Sequence, residues 1–365
     1  MNLFFKAKTT TVNIEQLQAN HMSAQIDIDH SFHHEEFQSR LPHHYRSVLS
    51  DFRKAAQSFA LFNGAFLGLI ALEILTCLCL VPRLHEPTFL AFALSAFFLT
   101  IFSYLILLLY YTQAKKPEQL EELVQRFKDT CSSSLRLFPD SSNPHLAVAE
   151  ALFKLSQYLA EEEWQLFPLN DRFPVASRFL ARCQSRFAWK DIFHFKQLLL
   201  RVAIQEYLHQ IRLTPTDLEL HASLASAYVA LSQIYKSPEE LDASKHQLAF
   251  YKRHASQMQE KFQLYGKLAL EEFQILNHYA PNDPWIHEQL ASGYHALGLN
   301  QEETREVEFL RKLRPNDGDI AFRLGALYFK QGLNAKGLQI YEELKKSSFA
   351  GADLLMGAYG KIGDT

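Results

Sequence analysis

Cysteine is scarce in this chain, four in 365 residues, and its placement excludes the residue's usual roles. Cys77 and Cys79 lie inside an apolar run, while Cys131 and Cys183 stand alone. No CxxC pair or Cys/His spacing suits zinc and no disulfide framework emerges, so a reducing compartment is expected for the polar part. Glycine and proline number only 13 each, which disfavours a strand-and-turn architecture and favours helices. Neither sign of charge dominates, with 37 Lys+Arg against 40 Asp+Glu for a net charge of −3. A chain this close to neutral lacks the electrostatic footprint of phosphate-backbone binding, so nucleic acid is not an expected partner. The N-terminal stretch MNLFFKAKTTTVNIEQ lacks the charged start, apolar core and small-residue site of a cleaved leader. P-loop, GxSxG, HExxH and Gly-rich dinucleotide turn are all missing. The reading is therefore non-enzymatic, without catalytic residue, metal or cofactor, the alternative being an enzyme whose site assembles from residues remote in sequence.

Apolar length is what the chain does have. Phe59 to Val81 is interrupted only by Asn63, Glu73, Thr76 and two glycines, and Thr88 to Tyr111 carries no charge. Each run exceeds the roughly 20 residues that cross about 30 Å of hydrocarbon at about 1.5 Å per residue. Pro82 and Pro87 bound the turn between them, so 51–116 reads as a two-helix transmembrane hairpin with spans at 59–81 and 88–111. A pair of core helices in a large soluble domain is the competing reading. Arg46, Arg53 and Lys54 precede the first span and Lys115 and Lys116 follow the second, whereas the loop holds Arg83 offset by Glu86. That asymmetry predicts both termini on the cytoplasmic side, with Tyr104, Tyr110 and Tyr111 towards the same interface.

Glu73 is the one charged residue within a span, and an intramembrane carboxylate is a functional-site hypothesis by default. It reads either as a protonated carboxyl bonded to a hydroxyl of the partner helix, where Ser95 and Thr100 sit at the right depth, or as part of an ion pathway. The hairpin pattern over 59–111 resembles the bilobed hydrophobic domain of inclusion-membrane proteins from obligate intracellular bacteria. The resemblance implies a vacuolar membrane with both termini in the host cytosol, and an alternative function as a bacterial effector whose active element is the hairpin. Ahead of it, residues 1–50 are polar and rich in histidine (His30, His33, His34, His43, His44). Without a second ligand cluster they predict a solvated, weakly ordered arm rather than a metal site. Alternation over 23–29 suggests a short strand.

From Pro117 onward amphipathic helical patterns alternate with prolines, and the sequence repeats itself at 34 residues. That shift superposes Pro281-Asn282-Asp283 on Pro315-Asn316-Asp317, Leu290 on Leu324, Ala291 on Gly325 and Tyr294 on Tyr328. It also aligns Gly298-Leu299-Asn300 with Gly332-Leu333-Asn334. Leu, a small residue and Tyr at i, i+1 and i+4 give one adhesive helix face with a point of close approach. The Gly-Leu-Asn triplet breaks the chain, and a second helix follows. A lone hairpin of this kind cannot bury its apolar side, so neighbours must stack.

These residues resemble the tetratricopeptide repeat. The match is regular over 284–317 and 318–351, although Glu303 and Val307 replace the small and aromatic residues of the pattern and Phe349 replaces a closing Pro. A third copy is split, with Leu224, Ala225 and Tyr228 in its first helix and Ala269, Phe273 and Pro281 in its second. About 32 surplus residues separate these halves, and 239–280 reads as one long helix or as an inserted hairpin. Region 117–195 reads as helical and degenerate, with 352–361 as the start of a terminal cap. The resemblance implies an all-α superhelix of helical hairpins that binds a protein or peptide ligand in its groove. Carried over by position, the groove residues are Glu219, Ser226, Trp285, Glu288, Ser292, His295, Phe322, Arg323, Phe329 and Lys330. The Lys and Asn that grip chaperone tails in this family are missing, while Trp285, Phe322 and Phe329 suit an apolar or aromatic peptide. A last candidate is the stripe Arg178, Arg182, Arg186 and Lys190, spaced by four and interleaved with Phe179, Phe187 and Trp189. It reads as a solvated face or as a lipid-facing basic surface.

Overall fold

The two apolar runs fall on the first two helices of the chain. A computed structural model describes residues 35–79, 86–136, 144–161, 174–237, 245–349, 351–357 and 359, and every element among them is helical. The expected strand at 23–29, His30, His33, His34 and the loop cation Arg83 lie outside the described residues. Helix α1 (Glu35–Cys79) carries the first run and α2 (Pro87–Tyr110) the second. Both are long and apolar enough to cross a membrane. None of the described residues at 62–79 or 87–110 is buried, and Leu67, Phe92 and Phe98 are 65%, 74% and 65% exposed. The competing reading of two core helices therefore finds no support in the packing.

The expected arm through residue 50 needs correction over its last part. By Glu35 the chain is already helical, and α1 runs 45 residues into the apolar run without a break. Leu41, Tyr45, Leu49 and Phe52 are buried along one stripe of it, at spacings of four, four and three that define a helix face. At the other end, α2 continues through a single π turn (Tyr111–Lys115) into α3 (Lys116–Arg136). Both apolar helices thus extend directly into the polar half of the molecule. There α1 and α3 pack with α4 (Pro144–Glu161) and α5 (Pro174–Leu213). Their core holds Phe52, Phe127, Cys131, Leu152, Leu155, Phe195 and Tyr207, all at most 1% exposed. The Tyr45 hydroxyl donates to the Ala151 carbonyl at 3.3 Å, and Phe52 stacks on Phe195 at 5.0 Å. Two ion pairs fix α5 parallel to α3, Lys116 to Asp191 at 2.7 Å and Lys128 to Glu206 at 2.5 Å.

Beyond α5 the helices stack in successive pairs. Helix α6 (Leu218–Tyr235) packs on α8 (Ala255–Tyr279), α9 (Pro284–Ala296) on α10 (Asn300–Leu313), and α11 (Gly318–Lys330) on α12 (Asn334–Lys346). Each pair touches the next through α8 with α9 and α10 with α11, and α13 (Ala352–Met356) covers the end. The described part of the region of surplus residues is helical, with one break. It comprises α7 (Lys245–Arg253) and the 25-residue α8, separated at His254, whose φ of −112° and ψ of 20° leave the helical range. Phe250 and Tyr251 of α7 turn back onto Trp189 and Phe193 of α5.

The same local chemistry begins each pair. Asp217, Asp283 and Asp317 cap the first helices, their side chains accepting amide hydrogens from Glu219, Trp285 and Asp319 at 3.1, 2.9 and 3.0 Å. Such a cap satisfies amides that the helix itself cannot. Between the helices of the two regular pairs, Gly298 and Gly332 adopt φ of +73° and +77°, a range open to glycine at little cost. The amide of the next residue then reaches back across the helix end, Leu299 to the Tyr294 carbonyl at 2.9 Å and Leu333 to the Tyr328 carbonyl at 2.8 Å.

Candidate functional site

Within the hairpin three pairs of polar residues meet across the two helices. The Thr100 hydroxyl donates to a Glu73 carboxylate oxygen at 2.5 Å and lies 3.1 Å from the Ala96 carbonyl of its own helix. Of the two hydroxyls at suitable depth, Thr100 is therefore the partner, while Ser95 is exposed. The second Glu73 carboxylate oxygen is buried without a hydrogen bond. Nearer the polar half, the Tyr104 hydroxyl donates to Asn63 at 2.8 Å and Ser58 meets the Tyr111 hydroxyl at 2.8 Å. Phe62 stacks between Tyr104 and Tyr111. Asn63 is ten residues from Glu73, about 15 Å along a helix, so these contacts form separate rungs. Interhelical hydrogen bonds of this kind contribute about 0.6–2 kcal/mol in a bilayer, and here they fasten α1 to α2.

On the paired helices, packing divides the predicted groove residues. Glu219 and Lys330 are exposed, while Trp285, Glu288, Ser292 and Phe322 are half-buried. Trp285 lies edge-on to Phe273 at 5.9 Å, and Phe322 leans on Phe349 at 6.4 Å. Glu288 sits 4.0 Å from Arg314. Two expected lining residues are buried instead. Ser226 donates to the Ala222 carbonyl at 2.8 Å within its own helix. Phe329 is fully buried because its ring occupies the space that a side chain at Gly337 would fill, so it cannot anchor a ligand. His295 and Arg323 are also committed. Both bond the carboxylate of Glu303, itself only 1% exposed, at 2.9 Å each. Burial alone would raise the Glu303 carboxyl, but the hydrogen bond from His295 and the charge of Arg323 outweigh it and hold it below the usual range. The acid that breaks the expected small-residue position therefore ties α9, α10 and α11 together.

A second repeated contact escaped the sequence reading. His221 of α6 points Nδ1 at Glu272 (2.6 Å) and Nε2 at the Pro215 carbonyl (3.1 Å). His287 of α9 meets Glu306 (2.6 Å) and the Pro281 carbonyl (2.8 Å) in the same manner. Burial lowers His221, but the hydrogen bonds to Glu272 and Pro215 and the charges of Glu272 and Asp217 leave it raised. The next pair places Ala321 and Ile340 at these positions, so the contact gives way to apolar packing. Only the spacing of Pro-x-Asp with a His four residues on, at 215–221 and 281–287, signals it in the sequence.

An apolar cleft opens where α6, α8 and α9 meet. Val229 and Ser232 line one wall, Phe262, Gly266 and Leu270 the floor, and Ser292 and Gly293 the other wall. Its void of about 30 Å³ has room for the tip of one side chain, far below the ~300 Å³ of a cofactor pocket. Ser292 was expected here, whereas the α8 contribution was hidden by the surplus residues. Among the described residues no group of three or more His, Cys, Asp or Glu is placed to hold a metal ion. Of the basic stripe on α5, Lys190 is exposed and sits 5.9 Å from the Phe250 ring. The side chains of Arg178, Arg182 and Arg186 lie outside the described set. Compared with known proteins, the chain matches no family model and no curated relative.

Proposed function

We propose that this protein is a membrane-anchored, non-enzymatic scaffold in which tetratricopeptide-like helix pairs bind a protein partner on the cytoplasmic face. The observation that carries this reading is the recurrence, at 34 residues, of the same Asp cap and left-handed glycine turn in α9–α10 and α11–α12. Stacked hairpins of this type present one continuous inner surface, here bordered by Glu219, Trp285, Glu288, Ser292, Phe322 and Lys330. The ligand is an extended peptide with an apolar or aromatic anchor, since the cleft between α6, α8 and α9 is apolar and side-chain-sized. Both termini face the cytoplasm in this reading. Its support is that the segments before the first span and after the second pack together, and that the flanking cations lie at this end.

The experiment places a photo-crosslinking side chain at Ser292 in the cleft and, separately, at Leu264, an exposed position of α8 outside it. In native membranes the full chain is expected to capture one defined protein from position 292 and not from 264. Equal capture from both positions, or capture only from 264, removes the inner surface as the binding site.

A further inference from the structure

Three turns of one composition lead into the paired helices: Pro215-Thr216-Asp217 before α6, Pro281-Asn282-Asp283 before α9 and Pro315-Asn316-Asp317 before α11. Each closes through the amide of its Asp, which reaches the carbonyl three residues back at 3.3, 3.2 and 3.3 Å. The turns differ in what grips them from outside. Four residues past the Asp stand His221 and His287 in the first two and Ala321 in the third. The rings of His221 and His287 reach back to the Pro215 and Pro281 carbonyls at 3.1 and 2.8 Å. The third turn is gripped instead by Arg311 of α10, whose Nη1 donates to the Asp317 carbonyl at 3.1 Å and whose Nη2 pairs with Glu343.

Both imidazoles are buried, 7% and 5% exposed, so the protein itself must satisfy their nitrogens. The other nitrogen of each, Nδ1, lies 2.6 Å from a carboxylate of the facing helix, Glu272 of α8 or Glu306 of α10. A neutral imidazole carries one N–H, whereas two acceptors call for two, and the protonated ring supplies both. The charges acting on His221 are Glu272 from α8 and Asp217 from its own cap, while the turn after α5 contributes the Pro215 carbonyl. Burial works against its charge, but these bonds and carboxylates outweigh burial and hold the ring above its ordinary range. His287 is faced by Glu306 and the Phe309 ring from α10 and by the Pro281 carbonyl from the turn after α8. Loss of the proton leaves one acceptor at each of these two turns without a hydrogen. A guanidinium keeps its charge across the same range, so the grip on the third turn does not follow pH.

We propose that His221 and His287 are proton-dependent clamps that stiffen the turns at 215–217 and 281–283, while Arg311 holds the turn at 315–317 whatever the pH. Each clamp joins three elements through one ring: the helix that bears it, the partner helix of its pair and the turn by which the chain arrives. The clamps close in acid and release as pH rises. The joints from α5 to α6 and from α8 to α9 then loosen, and the joint from α10 to α11 stays firm.

The test follows backbone hydrogen exchange of the detergent-solubilised full chain in peptides spanning 210–222, 276–288 and 310–322. Rates are compared at about pH 6 and about pH 9, after correction for the intrinsic pH dependence of amide exchange. Exchange in the first two peptides is expected to rise by about tenfold relative to the third on going to the higher pH. The double variant His221→Gln, His287→Gln should show no such difference between the two conditions. Should that variant fail to fold, Glu272→Gln with Glu306→Gln gives a second arm. It keeps both rings and an acceptor for each while removing the charge that holds the proton, so the release at both turns should move to lower pH. The same pH response in all three peptides overturns the proposal. So does a difference that survives in the histidine variant, or a release that stays at the same pH in the glutamate variant.

Discussion

Single residues carry much of the cohesion between helix pairs, and Glu303 is the clearest case. A carboxylate at the expected place of a small residue would be a defect if it were alone. Arg323 and His295 meet both of its oxygens, and the ion pair with Arg323 crosses from α10 to α11. Removing one member of a buried pair leaves the other without compensation. Glu303→Ala is accordingly expected to destabilise the stacked helices by about 3 kcal/mol, read as a lower thermal midpoint by circular dichroism of the detergent-solubilised chain. An unchanged midpoint would show that solvent replaces the carboxylate at no cost. Phe329 and Gly337 make the complementary point. The aromatic residue looks like a ligand anchor in the sequence, yet its ring is required to fill the gap left by a missing side chain one helix away.

Helix by helix, what was legible in the sequence was what local chemistry controls. The 34-residue period could be read because Asp caps and left-handed glycines act within a few residues of themselves. The break at His254 could not. No glycine or proline marks it, and it accompanies the docking of Phe250 and Tyr251 on α5, a contact some 60 residues distant in sequence. The buried stripe Leu41–Tyr45–Leu49–Phe52 has proper helical spacing but is diluted by His43, His44, Arg46 and Arg53. Glu303 with Arg323 depends on which helices become neighbours, and spacing alone does not say.

Two titrating groups act in the same sense, and one of them, His221, links neighbouring helices. His221 faces an acceptor at each ring nitrogen, so the protonated ring is the form that satisfies both. Its raised value means that its contribution is complete below about 6.5 and is lost as pH climbs through the folded value. Glu150 on α4 is pushed up to about 7 by burial, reinforced by Glu219 and opposed by Lys154. It keeps its proton when folded, whereas the unfolded chain has released it above about 4.5, so stability again falls as pH rises. Below about pH 6.5 the lowered His194 and His44 act in the opposite sense, so the thermal midpoint is expected to decline between about pH 6.5 and about pH 8. Glu150→Gln should raise stability at the upper end by roughly 2 kcal/mol, and a midpoint in the variant no more alkali-resistant than the original would contradict this.

Across the whole molecule, α1 and α2 join the polar helices without a linker. Leu41 to Phe52 on one side and Leu120 to Cys131 on the other belong to a single core. In the proposed topology the connection near Glu86 then lies across the membrane from everything else. A cysteine introduced by Glu86→Cys should react with a membrane-impermeant maleimide only from the far side of sealed vesicles, and one introduced by Ser47→Cys only from the cytoplasmic side. The same sidedness at both positions would remove the two-span arrangement.

That shared core imposes an order on biosynthesis. Residues 41–52 leave the ribosome before the apolar runs, while the helices that bury them, α3 to α5, are made afterwards. The early stripe must wait with Tyr45 and Phe52 uncovered until the hairpin has turned back and nearly a hundred further residues have emerged. In the proposed topology, insertion of the hairpin thus comes before completion of the fold. A chain whose hairpin stalls would display an aromatic, aggregation-prone surface at its N-terminal end, marking it for chaperones or degradation before the repeats have formed.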